Sequence, residues 1–281
     1  MAAKENSLVS ICIPTYNGEA FLAEALESAL GQTYRNIEVI ISDDSSSDDT
    51  LRIAELYKSK SEIPIYVFHH QPSGIAANWD HAARKAQGKY IKFLFQDDLL
   101  MPSCVEEMLE VFAADETIGL VFSKRQIIAE VPDAKWIAKH KSVHLHWKSL
   151  KTVNEGKELL RDPGLLTQPL NKVGEPSVVM FKKEVFNTVG PFHPELVQKL
   201  DYEYWFRIMK SYNVGFVDKE LSAFRFHTAQ ATGGYRKSAA KKRLEEKRFY
   251  NILRKDFFDY LHPLVKLKVI VYCGLYNTFV S

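Results

Sequence analysis

The sequence predicts an α/β fold, a mostly parallel sheet with helices on both faces, followed by a basic helical C-terminal extension. Three observations carry this. Short, near-continuous apolar runs alternate with segments of helical periodicity through the first 125 residues, as in strands buried on both faces and joined by crossover helices. Pro14, Gly31, Gly88 and Pro102 punctuate those segments where strands and helices should stop or start. Charge is also unevenly placed: residues 236–268 hold eleven Lys/Arg against four Asp/Glu, a net of +7 in a chain of net +2, which leaves about −5 elsewhere.

Taken in order, Leu8-Val9-Ser10-Ile11-Cys12-Ile13 is an apolar run stopped by Pro14, and 19–30 has Phe21, Leu22, Ala25, Leu26, Ala29 and Leu30 at helical spacing, with Gly31 as the stop. Ile37-Glu38-Val39-Ile40-Ile41 is the second strand; Ser47 or Asp48 then caps a helix carrying Leu51, Ile53, Ala54, Leu56 and Tyr57. Ile65-Tyr66-Val67-Phe68 is the third strand and 76–86 the third helix. Gly88 leads into a fourth strand that runs to Asp97-Asp98, a helix opens at Pro102, and Leu120-Val121-Phe122 is a further strand. Right-handed crossovers would put the strand C-terminal ends, where ligands bind in such sheets, along one edge. Beyond residue 125 the pattern is less regular: a helix is expected over 154–161, a strand at 177–181, a helix over 201–209 and a strand at 214–217. These read as completing one domain, 1–235, with 236–281 as the extension.

Composition narrows the function classes. With 281 residues, 46% hydrophobic, the chain can bury a sizeable core, and its net charge of +2 argues against nucleic acid as a partner. Cys12, Cys104 and Cys273 are far apart and odd in number, so neither a disulfide framework nor a metal spacing is expected. That fits a reducing, cytoplasmic compartment. The first residues hold no apolar signal-peptide core, and no run of about 20 apolar residues forms a membrane span.

Four segments carry the chemistry. Pro14-Thr15-Tyr16-Asn17-Gly18 follows the first strand and reads either as a plain turn or as a loop whose Tyr16 ring lines a nucleotide base. Asp43 and Asp44 stand at the end of the second strand, where a carboxylate can accept from a base N–H or a ribose hydroxyl. Asp97-Asp98 ends a buried strand; desolvating two adjacent carboxylates is costly, and a divalent cation bridging to a diphosphate would offset that cost. Asp201, in Asp201-Tyr202-Glu203-Tyr204-Trp205-Phe206-Arg207, reads either as a helix N-cap or as a general base. The pairs at His69-His70 and at His144 and His146 lack the partners of a zinc site.

Together, Val9-Ser10-Ile11-Cys12-Ile13-Pro14-Thr15-Tyr16-Asn17, Ile40-Ile41-Ser42-Asp43-Asp44, Phe93-Leu94-Phe95-Gln96-Asp97-Asp98 and 201–207 resemble the signature segments of family 2 glycosyltransferases, over about 8–227. The resemblance implies a GT-A type, Rossmann-like sheet with a nucleotide-binding half at about 1–125 and an acceptor half at about 126–235. It also implies a nucleotide-diphosphate sugar donor, inversion at the anomeric carbon and a Mg²⁺ or Mn²⁺ cofactor. Residue by residue, it implies that Pro14, Thr15, Tyr16 and Asn17 line the base pocket and that Asp43 and Asp44 contact the nucleoside. Asp97 would lie by the ribose or donor sugar, Asp98 would hold the metal and Asp201 would be the catalytic base. Phe224-Arg225-Phe226-His227-Thr228-Ala229-Gln230 resembles the Arg-x-His-x-x-Gln segment of some members, which would make His227 a second metal ligand or a phosphate contact.

Two departures stand out. Gln96 takes the place of the first acid of the family's Asp-x-Asp motif, so Asp97-Asp98 must suffice. The loop before the third helix, Ser73-Gly74-Ile75-Ala76-Ala77-Asn78, lacks the Arg found in many members, leaving Asn78 or Arg84 to serve. The implied role is the synthesis of bacterial cell-surface polysaccharide or glycolipid, with a carbohydrate or lipid-linked acceptor. The basic 236–281 segment would make a peripheral contact at the inner face of the membrane, or pack one face on the body. Two other readings stay open: a non-catalytic nucleotide-sugar-binding subunit, and a nucleotidyltransferase on a related sheet. The latter would want a Gly-rich basic loop where Pro14-Thr15-Tyr16-Asn17 stands.

Overall fold

A computed structural model describes residues 6–129, 137, 140–227 and 238–278. Its centre is a nine-stranded sheet. β1 (Val9–Thr15), β2 (Ile37–Asp43), β3 (Ile65–His69) and β4 (Tyr90–Phe93) form its first half, in the spatial order β3-β2-β1-β4 and all parallel. α1 (Leu22–Leu30), α2 (Thr50–Lys60) and α3 (Ile75–Lys85) are the crossovers between them. β5 (Leu99–Leu100), α4 (Cys104–Ala114) and β6 (Ile118–Ala129) follow.

The second half supplies β7 (Val153–Asn154), α5 (Gly156–Leu160), β8 (Val179–Lys182), α6 (Lys183–Val189), α7 (Leu200–Met209) and β9 (Asn213–Phe226). β8 inserts antiparallel between β4 and β6; β9 lies parallel to β6 and carries β5 and β7 as short antiparallel partners. The chain ends in α8 (Ala239–Ile252) and α9 (Pro263–Thr278).

Strand alternation sorts the core into two layers. Val9, Ile11 and Ile13 of β1 join α1 and α4 in a cluster on one face, with Leu26, Met108 and Phe112 fully or nearly fully buried. Cys12, Ile91 and Phe93 face the other way, into a cluster with α3, α7, α8 and α9. Phe249, Leu253, Val265 and Val269 of the C-terminal segment share that cluster with Tyr202, Phe206 and Met209 of α7. The basic extension is thus packed on the body along one side.

Several expected boundaries move: the strands expected at 120–122 and 214–217 run over Ile118–Ala129 and Asn213–Phe226, and two further changes bear on the site. β1 continues through Pro14 to Thr15, paired with Ser42 and Asp43 of β2. Proline is tolerated there because pairing with β4 ends at Cys12 and Phe93, so no partner strand claims the missing N–H. β4 stops at Phe93, well before Asp97-Asp98. The Leu94 N–H still bonds to the Cys12 carbonyl, and residues 96–97 then turn, with the Asp98 N–H on the Phe95 carbonyl.

Candidate active site

The strand ends expected to bind ligand do meet at one edge, but several of the singled-out side chains are spent on the protein itself. Pro14 and Thr15 are buried inside β1, and Thr15 Oγ1 donates to Asp43 Oδ1 at 2.9 Å. Asp43, fully buried, also accepts from the Ser46 N–H and hydroxyl and lies 3.2 Å from His69 Nδ1. Asp44 accepts from the Ser73 N–H at 2.7 Å and the Gly74 N–H at 3.0 Å. Gly74 meets it with φ +84°, a conformation that costs little only without a Cβ. Asn78 is buried too: its Nδ2 donates to the Thr15 carbonyl and its Oδ1 accepts from Ser42 Oγ at 2.7 Å. These residues build the floor and fix the loops above it. Arg84 sits over the Phe186 ring.

Tyr16 and Asn17 are the members of the group that face solvent, Tyr16 at 55% exposure. Gln96 explains how Tyr16 is held. Its amide pairs with the Tyr16 backbone in both directions, Oε1 accepting from the N–H at 2.9 Å and Nε2 donating to the carbonyl at 3.1 Å. The residue that departs from the family's acid thus ties the first loop to Asp97. Gly18 gives it room: a Cβ there would stand 2.3 Å from Gln96 Oε1.

Asp97 and Asp98 point to different surroundings. Asp98 is 1% exposed, and both its oxygens are engaged: Oδ2 accepts from the Ser177 hydroxyl at 2.6 Å and Oδ1 from the Arg225 N–H at 2.9 Å. Burial, and after it the neighbouring Asp97 carboxylate, push the Asp98 carboxyl up to about 8. Asp97 keeps a partly open side chain with Oδ2 3.0 Å from His227 Nε2. Arg225 braces the pair, donating from Nε to the Asp97 carbonyl and from Nη2 to Glu24, with its guanidinium over the Phe21 ring.

Asp201 lies in the first turn of α7, after Leu200, and the N-cap position is Lys199. Its carboxylate accepts from the Tyr202 N–H at 2.8 Å and from Asn171 Nδ2 at 2.7 Å. The Asn171 amide can sit only one way round, because its Oδ1 accepts from the Val173 and Gly174 N–H groups while Nδ2 donates to the Gly174 carbonyl. Burial raises the Asp201 carboxyl to about 7, against the pull of those hydrogen bonds and of Arg125.

Residues 171–177 thus form a strap between the two acids, with Asn171 on Asp201 and Ser177 on Asp98. Trp205 Nε1 pins its middle at the Gly174 carbonyl. Arg125 of β6, buried and ion-paired with Glu175 of the strap, is attracted by both Asp98 and Asp201. Buried Lys92 steadies the far end, donating to the carbonyls of Ser177 and Val179. Together these contacts link a partly open carboxylate–imidazole pair to a second carboxylate whose raised pKa suits proton acceptance near neutrality.

Residues 10–186 match the family model described as Glycosyl transferase family 2. The chain belongs to glycosyl transferase family 2. Among similar proteins, an uncharacterized protein of Mycobacterium tuberculosis, MT1568, is 32% identical over 223 residues, covering 79% of this chain and 68% of that protein. An uncharacterized glycosyltransferase of Rickettsia typhi is 29% identical over 275 residues, covering 98% and 78%. The fold is similar to that of S. aureus TarS 1-349 in complex with UDP-GlcNAc, with TM-score 0.64 and 20% identity over 89% of this chain and 67% of that one. It is also similar to the mannosyltransferase PcManGT of Pyrobaculum calidifontis, in complex with GDP-Man and Mn²⁺, with TM-score 0.63 and 17% identity over 97% and 71%. Both neighbours have the GT-A type of α/β sheet, and this family 2 chain shares it.

Four residues of this candidate site escaped the sequence reading, Arg125, Asn171, Glu175 and Ser177, and a fifth, Arg225, was named only within the Arg-x-His-x-x-Gln segment. Ser177 read as a strand residue and Arg225 as a neighbour of His227. Asn171 and Glu175 lie in a segment without periodicity, where no sequence signal marks them. Gln230, the last residue of the Arg-x-His-x-x-Gln segment, lies outside the described residues.

Proposed function

We propose that this glycosyltransferase moves a sugar, with inversion, from a nucleotide-diphosphate sugar to a hydroxyl of a carbohydrate or lipid-linked acceptor in the synthesis of a cell-surface polysaccharide or glycolipid. The observation that carries the reading is the strap 171–177, which joins the Asp98 side of the site to Asp201. UDP-GlcNAc in TarS and GDP-Man in PcManGT support the donor class.

Asp201 is the general base in this reading. Its raised pKa lets it take the acceptor's proton while the acceptor oxygen bonds to the anomeric carbon and the nucleoside diphosphate departs from the opposite face. Tyr16, exposed and fixed by Gln96, offers its ring to the nucleotide base. Asn17, Asp43, Asp44 and Asn78 shape that pocket, mainly by holding its loops.

The donor set fits a divalent cation at Asp97 and His227. A carboxylate oxygen and an imidazole nitrogen converge to 3.0 Å, and Mg²⁺ or Mn²⁺ commonly completes so small a protein set with phosphate oxygens and water. Asp98, with both oxygens bonded within the protein, fits better as the inner support of Asp97 than as the ligand first expected. When bound, the cation would stabilise the negative charge growing on the leaving diphosphate.

The test is transfer by the purified chain, with a panel of nucleotide sugars and Mn²⁺, followed by release of the nucleoside diphosphate. Diphosphate release that increases with added acceptor and vanishes in Asp201→Asn supports the reading. Tight donor binding with no turnover on any acceptor favours a binding subunit, and release of pyrophosphate from a nucleoside triphosphate favours a nucleotidyltransferase.

A further inference from the structure

Helix α9 has an outer surface that a water-facing helix would not carry. Over 263–274, where its side chains are described, the exposed positions are Pro263, Leu264, Leu267, Ile270, Val271 and Gly274, all without a polar side chain. Leu264 is 64% exposed, Leu267 59%, Ile270 49% and Val271 50%. Val265, Val269 and Cys273 of the same helix are buried in the core, so the exposed stripe is a second apolar face on the opposite side. At about 100° per residue, Lys266 and Lys268 fall on the two margins between the faces. Lys266 lies over the Phe258 ring and Lys268 donates to the Leu166 carbonyl, so both are held beside the stripe. No acidic residue occurs in α9. Across residues 238–278 there are nine Lys/Arg against four Asp/Glu, a net of +5, with Lys242, Arg254 and Lys255 exposed and, of the acids, Asp256 and Asp259. Among the described residues no helix is long and apolar enough to cross a membrane.

We infer that α9 lies on the surface of an anionic bilayer, with Leu264, Leu267, Ile270 and Val271 among the acyl chains and Lys266 and Lys268, on its margins, towards the headgroups. Charge selects this occupant. Two copies pairing through the stripe would bring their cationic margins together, like against like, whereas an anionic lipid surface is opposite in sign. The stripe alone would favour any apolar surface; the lysines on its margins and the net positive charge of the segment make the preference specific to negative headgroups. A transferase resting this way would meet acceptor hydroxyls at the headgroup level, a clause that rests on the transferase reading, while the surface itself does not.

The test is co-sedimentation of the full chain with phosphatidylcholine vesicles, with and without phosphatidylglycerol. The expected result is roughly tenfold greater recovery on the anionic vesicles, falling as salt is added, and loss of that recovery in Leu267→Glu/Ile270→Glu. Those positions are exposed, so circular dichroism and melting temperature should match the wild type. Equal recovery on both vesicles, or binding that the double substitution leaves intact, overturns the inference. So does a dimer in sedimentation velocity that the substitution dissolves while wild-type chain ignores vesicles. Because the readout is binding, a chain that binds vesicles yet transfers no sugar would sink the proposed function and leave the surface standing.

Discussion

At the scale of residues, Asp201 and Asn171 carry the sharpest expectations. Asp201→Asn should lower kcat by roughly 10²–10⁴-fold, the usual worth of a general base, with donor affinity unchanged in a titration calorimeter. The same substitution should flatten the fall in melting temperature that the wild type shows between about pH 4 and 7. The folded carboxyl is pushed from 3.8 to about 7, so its stabilising contribution is present at low pH and lost as pH rises through 7; removing the charge removes that loss. Activity runs the other way, and kcat should climb with pH and level off above about 7 as Asp201 ionises. Asn171→Ala removes a donor that favours the carboxylate, so the climb should move to higher pH. An unmoved profile would reduce Asn171 to packing. Gly18→Ala should displace the Gln96 amide and loosen Tyr16, at a cost of about 1–2 kcal/mol for two hydrogen bonds and with a higher donor KM at constant kcat. Sequence reasoning singled out Asp97, Asp98 and Asp201 because acids at strand and helix ends are visible in one dimension. It did not find that Asp43, Asp44 and Asn78 are engaged by hydrogen bonds within the protein, because those partners (Thr15, Ser73, Ser42) become neighbours only once the sheet has formed.

At the scale of elements, α8 and α7 depend on each other. Glu245 of α8 is 1% exposed, and its Oε1 accepts from the N–H groups of Val197, Gln198 and Lys199, the open amino end of α7. A carboxylate there satisfies donors that a helix start leaves without partners. Glu245→Ala should destabilise the fold by about 2–3 kcal/mol, since three partly buried N–H groups lose their shared acceptor, and urea denaturation would measure it. Because Asp201 sits in the first turn of α7, kcat should fall as well. The strands and helices of the first 125 residues were legible because their apolar spacing reports burial directly. Glu245 was not, because an acid among lysines at 241–248 reads as one more charge on a solvated helix, and only tertiary packing turns it inward.

For the whole molecule, the proposed metal pair predicts a ligand-linked stability. Mn²⁺ with UDP or GDP should raise the melting temperature more than either alone, by mass action on the folded state. Asp97→Asn and His227→Ala should each abolish the synergy, and Asp98→Asn should lower the unliganded melting temperature through its contacts with Ser177 and Arg225. Equal melting temperatures with and without the metal would remove the cation from the site. The mostly parallel sheet was foreseeable from the alternation of elements, but the place of β8 in it was not, since strand order between distant segments leaves no periodic trace. That placement governs how the protein can be made. β6 at Ile118–Ala129 has β8 and β9 as its sheet partners, and β4 reaches β6 only through β8. A nascent chain released anywhere before residue 179 would carry one of its longest strands with both backbone edges bare, so synthesis must pass β8 before the two halves of the sheet can be stitched together.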